Sequence, residues 1–268
     1  MDIDSNTRKR AFAGDAAAAC ALGDAYFYEA FDSETAYADY TKAKYWYSRA
    51  ALAGNAEAQY NLAYQYEYAL GTDEDFAKAR SWYQQAAAQN HGAAENNLGH
   101  LYEAGRGVAQ DYDQALFWYL RSAQHGDSNG QCNAGIMYQF GYTAAPDYEK
   151  AARWYAKAAA QDNMIAENNL GYLYETGRGV TQSWEKAASF YLQAARNGDG
   201  PAQNNLGVLY RDGHGVPHDL YQAAYFFALS AQSGYVEGMK NYANALEKGE
   251  GVAQNLDEAR YWREQAEK

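Results

Sequence analysis

Two histidines four residues apart, His214 and His218, have the spacing with which a helix offers two imidazoles to one metal ion. Gly215 and Pro217 lie between them, so the segment is a loop and helical ligand geometry does not follow. His91, His100 and His125 stand apart, with no cysteine or carboxylate constellation around them. Gly105-Arg106-Gly107 and Gly177-Arg178-Gly179 invite comparison with a phosphate cradle, but such a loop follows a strand, and no strand pattern precedes either. Carboxylates are plentiful, yet no spacing pairs two of them for acid–base work. Cys20 and Cys132 make neither a disulfide framework nor a zinc site and read as small buried side chains. The chain is therefore expected to have no catalytic residues, no metal and no cofactor. The chemistry left is noncovalent. Asn61, Asn97, Asn133, Asn169, Asn205 and Asn241 recur at a fixed step, and an amide can both donate to and accept from a ligand backbone. Alternatively, each bonds the turn that precedes its repeat.

Composition narrows the class of partner. A formal charge of −12 argues against nucleic acid and against anionic membrane surfaces, both of which need a basic face. It suits a basic partner drawn in by long-range steering. Hydrophobic residues make up 48% of the 268, and prolines number only three, which favours helices and a real core. The polar opening MDIDSNTRKR lacks an apolar stretch after it, and no apolar run reaches membrane-spanning length. As written, the chain is expected to be cytoplasmic, although a signal peptide removed beforehand would leave no trace. It is expected to be a monomer when free.

The elements that must carry these residues follow from an internal repeat. Trp-Tyr occurs at Trp46-Tyr47, Trp82-Tyr83, Trp118-Tyr119 and Trp154-Tyr155, and the 36-residue step continues as Phe190-Tyr191, Phe226-Phe227 and Trp262-Arg263. Asn-Leu-Gly or a variant keeps the same step, as in Asn97-Leu98-Gly99 and Asn169-Leu170-Gly171. Glycine just past a helix stops it, because glycine enters the left-handed region freely, and Gly105, Gly177, Gly213 and Gly249 recur as such stops. The second copy has Ala69 there, and the fourth has Thr143 for the second loop glycine. Asp75, Asp111, Asp147, Ser183, Asp219 and Asn255 are placed to cap the second helices. Gly99, Gly135, Gly171 and Gly207 inside helices predict a close approach of two helices.

The predicted fold is all-α: an α/α superhelical solenoid of seven helix-turn-helix repeats, with short N- and C-terminal caps. One repeat domain should span 1–268, with repeats near 16–54, 56–90, 92–126, 128–162, 164–198, 200–234 and 236–268, after a capping helix within 1–14. Four extra residues around Phe31 to Tyr40 should bulge the first inter-helix loop. Arg263 and Glu267 give the last unit a polar face, so the solenoid is expected to end there.

The string A-x-x-x-L-G-x-x-Y-x-x-G-x-G-V, then D, then W-Y-x-x-A-A-x-x-G, resembles the Sel-one-like repeat family, relatives of tetratricopeptide repeats. Ala166 to Gly198 is the best copy, and the resemblance runs from about Ala11 to Ala266. It implies a non-enzymatic adaptor that binds a protein or extended peptide on a concave face lined by the first helices. Immunity-type inhibition of a basic toxin or effector is one such role, and a scaffold in a regulatory or signalling complex is another. A cysteine-rich branch of the family binds or hydrolyses penicillin-like compounds, so the resemblance also implies a penicillin-binding or β-lactamase-like member as a further alternative, against which this chain lacks the cysteines of that branch.

On that resemblance, three sets of first-helix residues would line the groove. They are Tyr60, Asn96, Cys132, Asn168, Asn204 and Lys240; Tyr64, His100, Ile136, Tyr172, Val208 and Asn244; and Glu67, Glu103, Gln139, Glu175, Arg211 and Glu247. Tyr68 and Phe140 add aromatics beside the third set. From these, the expected partner-binding residues are Tyr60, Tyr64, Glu67, Tyr68, Asn96, His100, Glu103, Phe140, Asn168, Tyr172, Glu175, Asn204 and Arg211. Glutamates in a last helical turn oppose the macrodipole by about 0.3–1 kcal/mol. Either a basic ligand offsets that, or Glu103 pairs with Arg106 and Glu175 with Arg178.

Overall fold

Residues 4–30 and 36–268 are described in the computed structural model, and every regular element among them is a helix. Helix α1 (Ser5–Phe12) precedes seven pairs: α2 (Ala16–Glu29) with α3 (Ala36–Leu52), α4 (Ala56–Glu67) with α5 (Phe76–Ala87), and α6 (Gly92–Ala104) with α7 (Tyr112–Gln124). They continue as α8 (Ser128–Phe140) with α9 (Tyr148–Ala159), α10 (Met164–Thr176) with α11 (Trp184–Arg196), α12 (Gly200–Asp212) with α13 (Leu220–Gln232), and α14 (Val236–Lys248) with α15 (Leu256–Gln265). This is the all-α, solenoid-type arrangement that the repeat predicts. Contacts divide the chain into two compact units, residues 1–131 and 132–268. The bulge expected around Phe31 falls largely outside the described residues.

Helix starts and stops are set by single side chains. The second-helix caps accept a hydrogen bond from the amide three residues on: Asp75 from Lys78 at 2.9 Å, Asp111 from Gln114 at 2.9 Å, Asp219 from Gln222 at 3.0 Å. Each such bond satisfies an otherwise orphaned N–H and stabilises its helix by about 1 kcal/mol. At the other end of the first helices, Gly105, Gly177, Gly213 and Gly249 have φ between 68° and 73°. Ala69 takes the same left-handed conformation, φ 55°, although it carries a Cβ.

The core is built on the second residue of each Trp-Tyr pair. Tyr47, Tyr83, Tyr119, Tyr155 and Tyr191 are fully buried, as is Phe227 nearly so. The helix-interior glycines exist for these rings. A Cβ on Gly99, Gly135 or Gly171 would lie 2.4 to 2.7 Å from the ring of Tyr119, Tyr155 or Tyr191 respectively. The close approach predicted from those glycines is thus a helix backbone against an aromatic face, and burying each ring contributes on the order of 2–3 kcal/mol. Cys20 and Cys132 are free and buried, and burial pushes both thiols up to about 12, so neither is a ready nucleophile.

Candidate protein-binding face

The row of first-helix carboxylates is bonded to the core. Tyr83 Oη donates to Glu67 Oε2 at 2.6 Å, Tyr191 Oη to Glu175 Oε2 at 2.5 Å, and Tyr155 Oη to Gln139 Oε1 at 2.8 Å. Tyr119 donates to Glu103 in the same way, with His100 Nδ1 3.0 Å from the hydroxyl. Burial raises these phenols well above the usual range, and the neighbouring carboxylates raise Tyr83, Tyr119 and Tyr191 further, so the hydroxyls remain donors. The pairing of Glu103 with Arg106 and of Glu175 with Arg178 is therefore corrected: neither is an ion pair, and the carboxylate against the macrodipole is held by a tyrosine donor instead.

The asparagine ladder also has an internal use, with a different partner from the expected turn. Asn205 Nδ2 donates to Asn168 Oδ1 at 3.1 Å and Asn241 Nδ2 to Asn204 Oδ1 at 2.7 Å, each across 37 residues to the preceding first helix. Asn61 reaches Asp24 across the same interval at 3.3 Å, and Asn97 donates to Tyr83 Oη at 2.9 Å. Three of these bonds thus stitch first helix to first helix, and carbonyls near the ends of the preceding second helices accept from glutamines instead. Gln59, Gln131 and Gln203 donate to Ala51, Ala123 and Ala195 carbonyls.

Aromatic side chains cluster on α4. Tyr60, Tyr64 and Tyr68 follow one another along α4 and past its end, with ring centroids 6.4 and 4.4 Å apart. Tyr60 stacks on His91 at 4.9 Å, and Tyr68 is 49% exposed. Glu67, Tyr68, His100 and Glu103 meet around one open pocket, together with Arg106 and Tyr112. In residues 132–268, Phe140, Asn168 and Tyr172 meet around another, with Gln139, Asn169, Asn205, Tyr148, Arg178, Pro201 and Tyr235. Asn96 and Asn204 are buried, Glu175 faces Tyr191, and Arg211 lines a separate cleft with Asn244 and Glu250. The second-helix tyrosines and loop arginines were not expected at these pockets. The Gly-Arg-Gly strings read as helix stops, and their recurrent arginine was the available signal.

His218 Nδ1 lies 2.6 Å from the Arg211 carbonyl, and His214 packs on Trp184 with centroids 4.5 Å apart. Among the described residues no helix is long and apolar enough to cross a membrane, and no group of three or more His, Cys, Asp or Glu could hold a metal ion.

Comparison with known proteins agrees with this architecture. The Sel1 repeat model matches residues 16–55, 56–91, 92–127, 128–163, 165–199, 200–235 and 236–267. A protective antigen of uropathogenic Escherichia coli strains, displaying an SLR fold, is 33% identical with a TM-score of 0.84, covering 99% of this chain and 56% of that one. This chain thus spans 56% of that relative's length. A Sel1 repeat protein from Oxalobacter formigenes is 29% identical with a TM-score of 0.79, over 86% of this chain and 92% of that one. An immunity protein from Pseudomonas aeruginosa shares the fold at a TM-score of 0.54 and 20% identity, over 79% of this chain and 81% of that one. Curated proteins give no match. Seven matched repeats, the buried tyrosine row and the glycine-stopped first helices make this chain a member of the Sel1 repeat family, whose members are generally protein-interaction adaptors and typically not enzymes.

Proposed function

We propose that this chain is a non-enzymatic binding protein that holds a partner protein, or an extended segment of one, against its first-helix face. One observation carries this reading. The second residues of the Trp-Tyr pairs are consumed by the core, whereas Tyr68 just past α4 and Phe140 at the end of α8, 60% exposed, stand outward beside a half-buried Tyr64. Tyrosines in that position supply large, amphipathic contact area, and truncating such anchors typically costs 2 kcal/mol or more of binding. In the experiment, the tagged chain captures a partner from its native source, and the capture is repeated with Tyr64→Ala/Tyr68→Ala. Loss of the partner with unchanged helical content supports the reading. Retention by that variant, with loss on Tyr45→Ala/Tyr261→Ala on second helices, rejects it.

A sharper reading is an immunity-type inhibitor of a basic toxin or effector. The charge of −12 favours it, because steering accelerates encounter with a basic protein and fades with salt. The Pseudomonas immunity protein lends this reading its fold and no more. A single tight partner whose association rate falls steeply with ionic strength supports inhibition; several partners of modest affinity support a scaffold instead.

A further inference from the structure

The two open pockets occupy the same register two repeats apart, and they differ in charge. In residues 1–131, Arg106 lies over the Phe76 ring, 5.7 Å from its centroid, and two carboxylates, Glu67 and Glu103, line its pocket. In residues 132–268, Arg178 lies over the equivalent Tyr148 ring at 5.4 Å and over Tyr172 at 5.9 Å. The position of Glu67 is there taken by Gln139, and no carboxylate lines the pocket. Glu175, the register mate of Glu103, accepts from the buried Tyr191 hydroxyl and is not in the lining. Arg178 bonds only a neutral group among the described residues, the Tyr172 hydroxyl at 3.3 Å. A chain with twelve excess negative charges thus holds one guanidinium between two tyrosine rings, among amides, with no acid of its own beside it.

We propose that this pocket binds a carboxylate carried on an extended peptide. The guanidinium takes the carboxylate through charge-assisted, bidentate hydrogen bonds, for which a planar fork is suited. Stacking on Tyr148 and Tyr172 holds the fork in place, and the Asn169 and Gln139 amides can meet the peptide backbone. The carboxylate comes from an acidic side chain or from a chain terminus. The proposal rests on the first-helix face being a binding face, but uses the second pocket alone.

The test is fluorescence anisotropy of labelled hexapeptides on the full chain. One is acidic with a blocked terminus, one is neutral with a free terminal carboxylate, and one is neutral and blocked. Saturable binding of the first or second, and not the third, is expected and distinguishes side chain from terminus. Arg178→Gln should weaken it about tenfold or more, and Arg106→Gln should leave it unchanged. Gln139→Glu should weaken it similarly, and the fold tolerates this change because Glu67, Glu103 and Glu175 accept a buried tyrosine at the same register. Equal binding of all three peptides, binding of none, or indifference to both Arg178→Gln and Gln139→Glu overturns the proposal. Partner capture through Tyr64 and Tyr68 would stand in each of those cases, so the two readings fail separately.

Discussion

Phe227 and Arg211 depart from the repeat together. Phe227 stands where Tyr83, Tyr119, Tyr155 and Tyr191 donate a buried hydroxyl, and Arg211, sixteen residues before it, stands where Glu67, Glu103, Gln139 and Glu175 accept one. With no hydroxyl to receive, the acceptor is dispensable, and Arg211 turns to Asp212 at 2.8 Å. Restoring the hydroxyl alone, Phe227→Tyr, places a donor beside a guanidinium and should cost about 1–2 kcal/mol. Adding Arg211→Glu should recover most of that loss. A double-mutant cycle by thermal melting reads the coupling, expected at about 1 kcal/mol or more; strict additivity would show that the two positions do not communicate.

Ala69 offers a gain. Its φ of 55° is the conformation in which the equivalent helix stops carry glycine, so Ala69→Gly removes Cβ strain. The expected stabilisation is about 0.5–1 kcal/mol, reduced from the full strain by the extra freedom of glycine in the unfolded chain. A lower melting temperature for the variant would mean that the alanine is not strained there.

Glu167 carries a pH dependence. It occupies the register of Gln59, Gln131 and Gln203, is 1% exposed, and its Oε2 has no hydrogen-bond partner. Burial raises its proton affinity above that of a free glutamate, Asp162 adds to the rise, and Asn197 opposes it. Because the folded state holds the proton more tightly than the unfolded one, ionisation of Glu167 destabilises the fold at neutral pH, and the penalty disappears as pH falls below the unfolded value of 4.5. Glu167→Gln can donate to the Ala159 carbonyl as its register mates do. It should be more stable by about 1–2 kcal/mol near neutrality and indistinguishable from the native chain at acidic pH. Urea midpoints across that range decide it; a constant difference at all pH values would place the effect in packing rather than charge.

The period was legible because backbone demands fixed it. Gly105 and its mates must enter left-handed space, Gly171 must clear a ring, and Asp111 must cap a helix, so the residue types reveal their positions. The bonds between elements were not legible. Tyr191 meets Glu175 only after a loop of set geometry folds α11 back on α10, and the local Arg178 at three residues looked like the nearer partner. Asn205 reaches Asn168 across 37 residues for the same reason: stacking of repeats, not local spacing, decides the contact. Of the expected binding residues, Tyr64, Tyr68, His100, Phe140 and Tyr172 keep outward surface, while Asn96, Asn204 and Glu67 are buried, a distinction that helical spacing alone does not draw.

Docking on the first-helix aromatics is tested most directly by site-specific photo-crosslinking, with benzoylphenylalanine in place of Tyr68, and of Tyr45 as the second-helix comparison, in the chain expressed in its native source. Crosslinks to a defined partner from position 68 and none from position 45 are the expected result. A partner crosslinked from position 45 and absent from position 68 would contradict it.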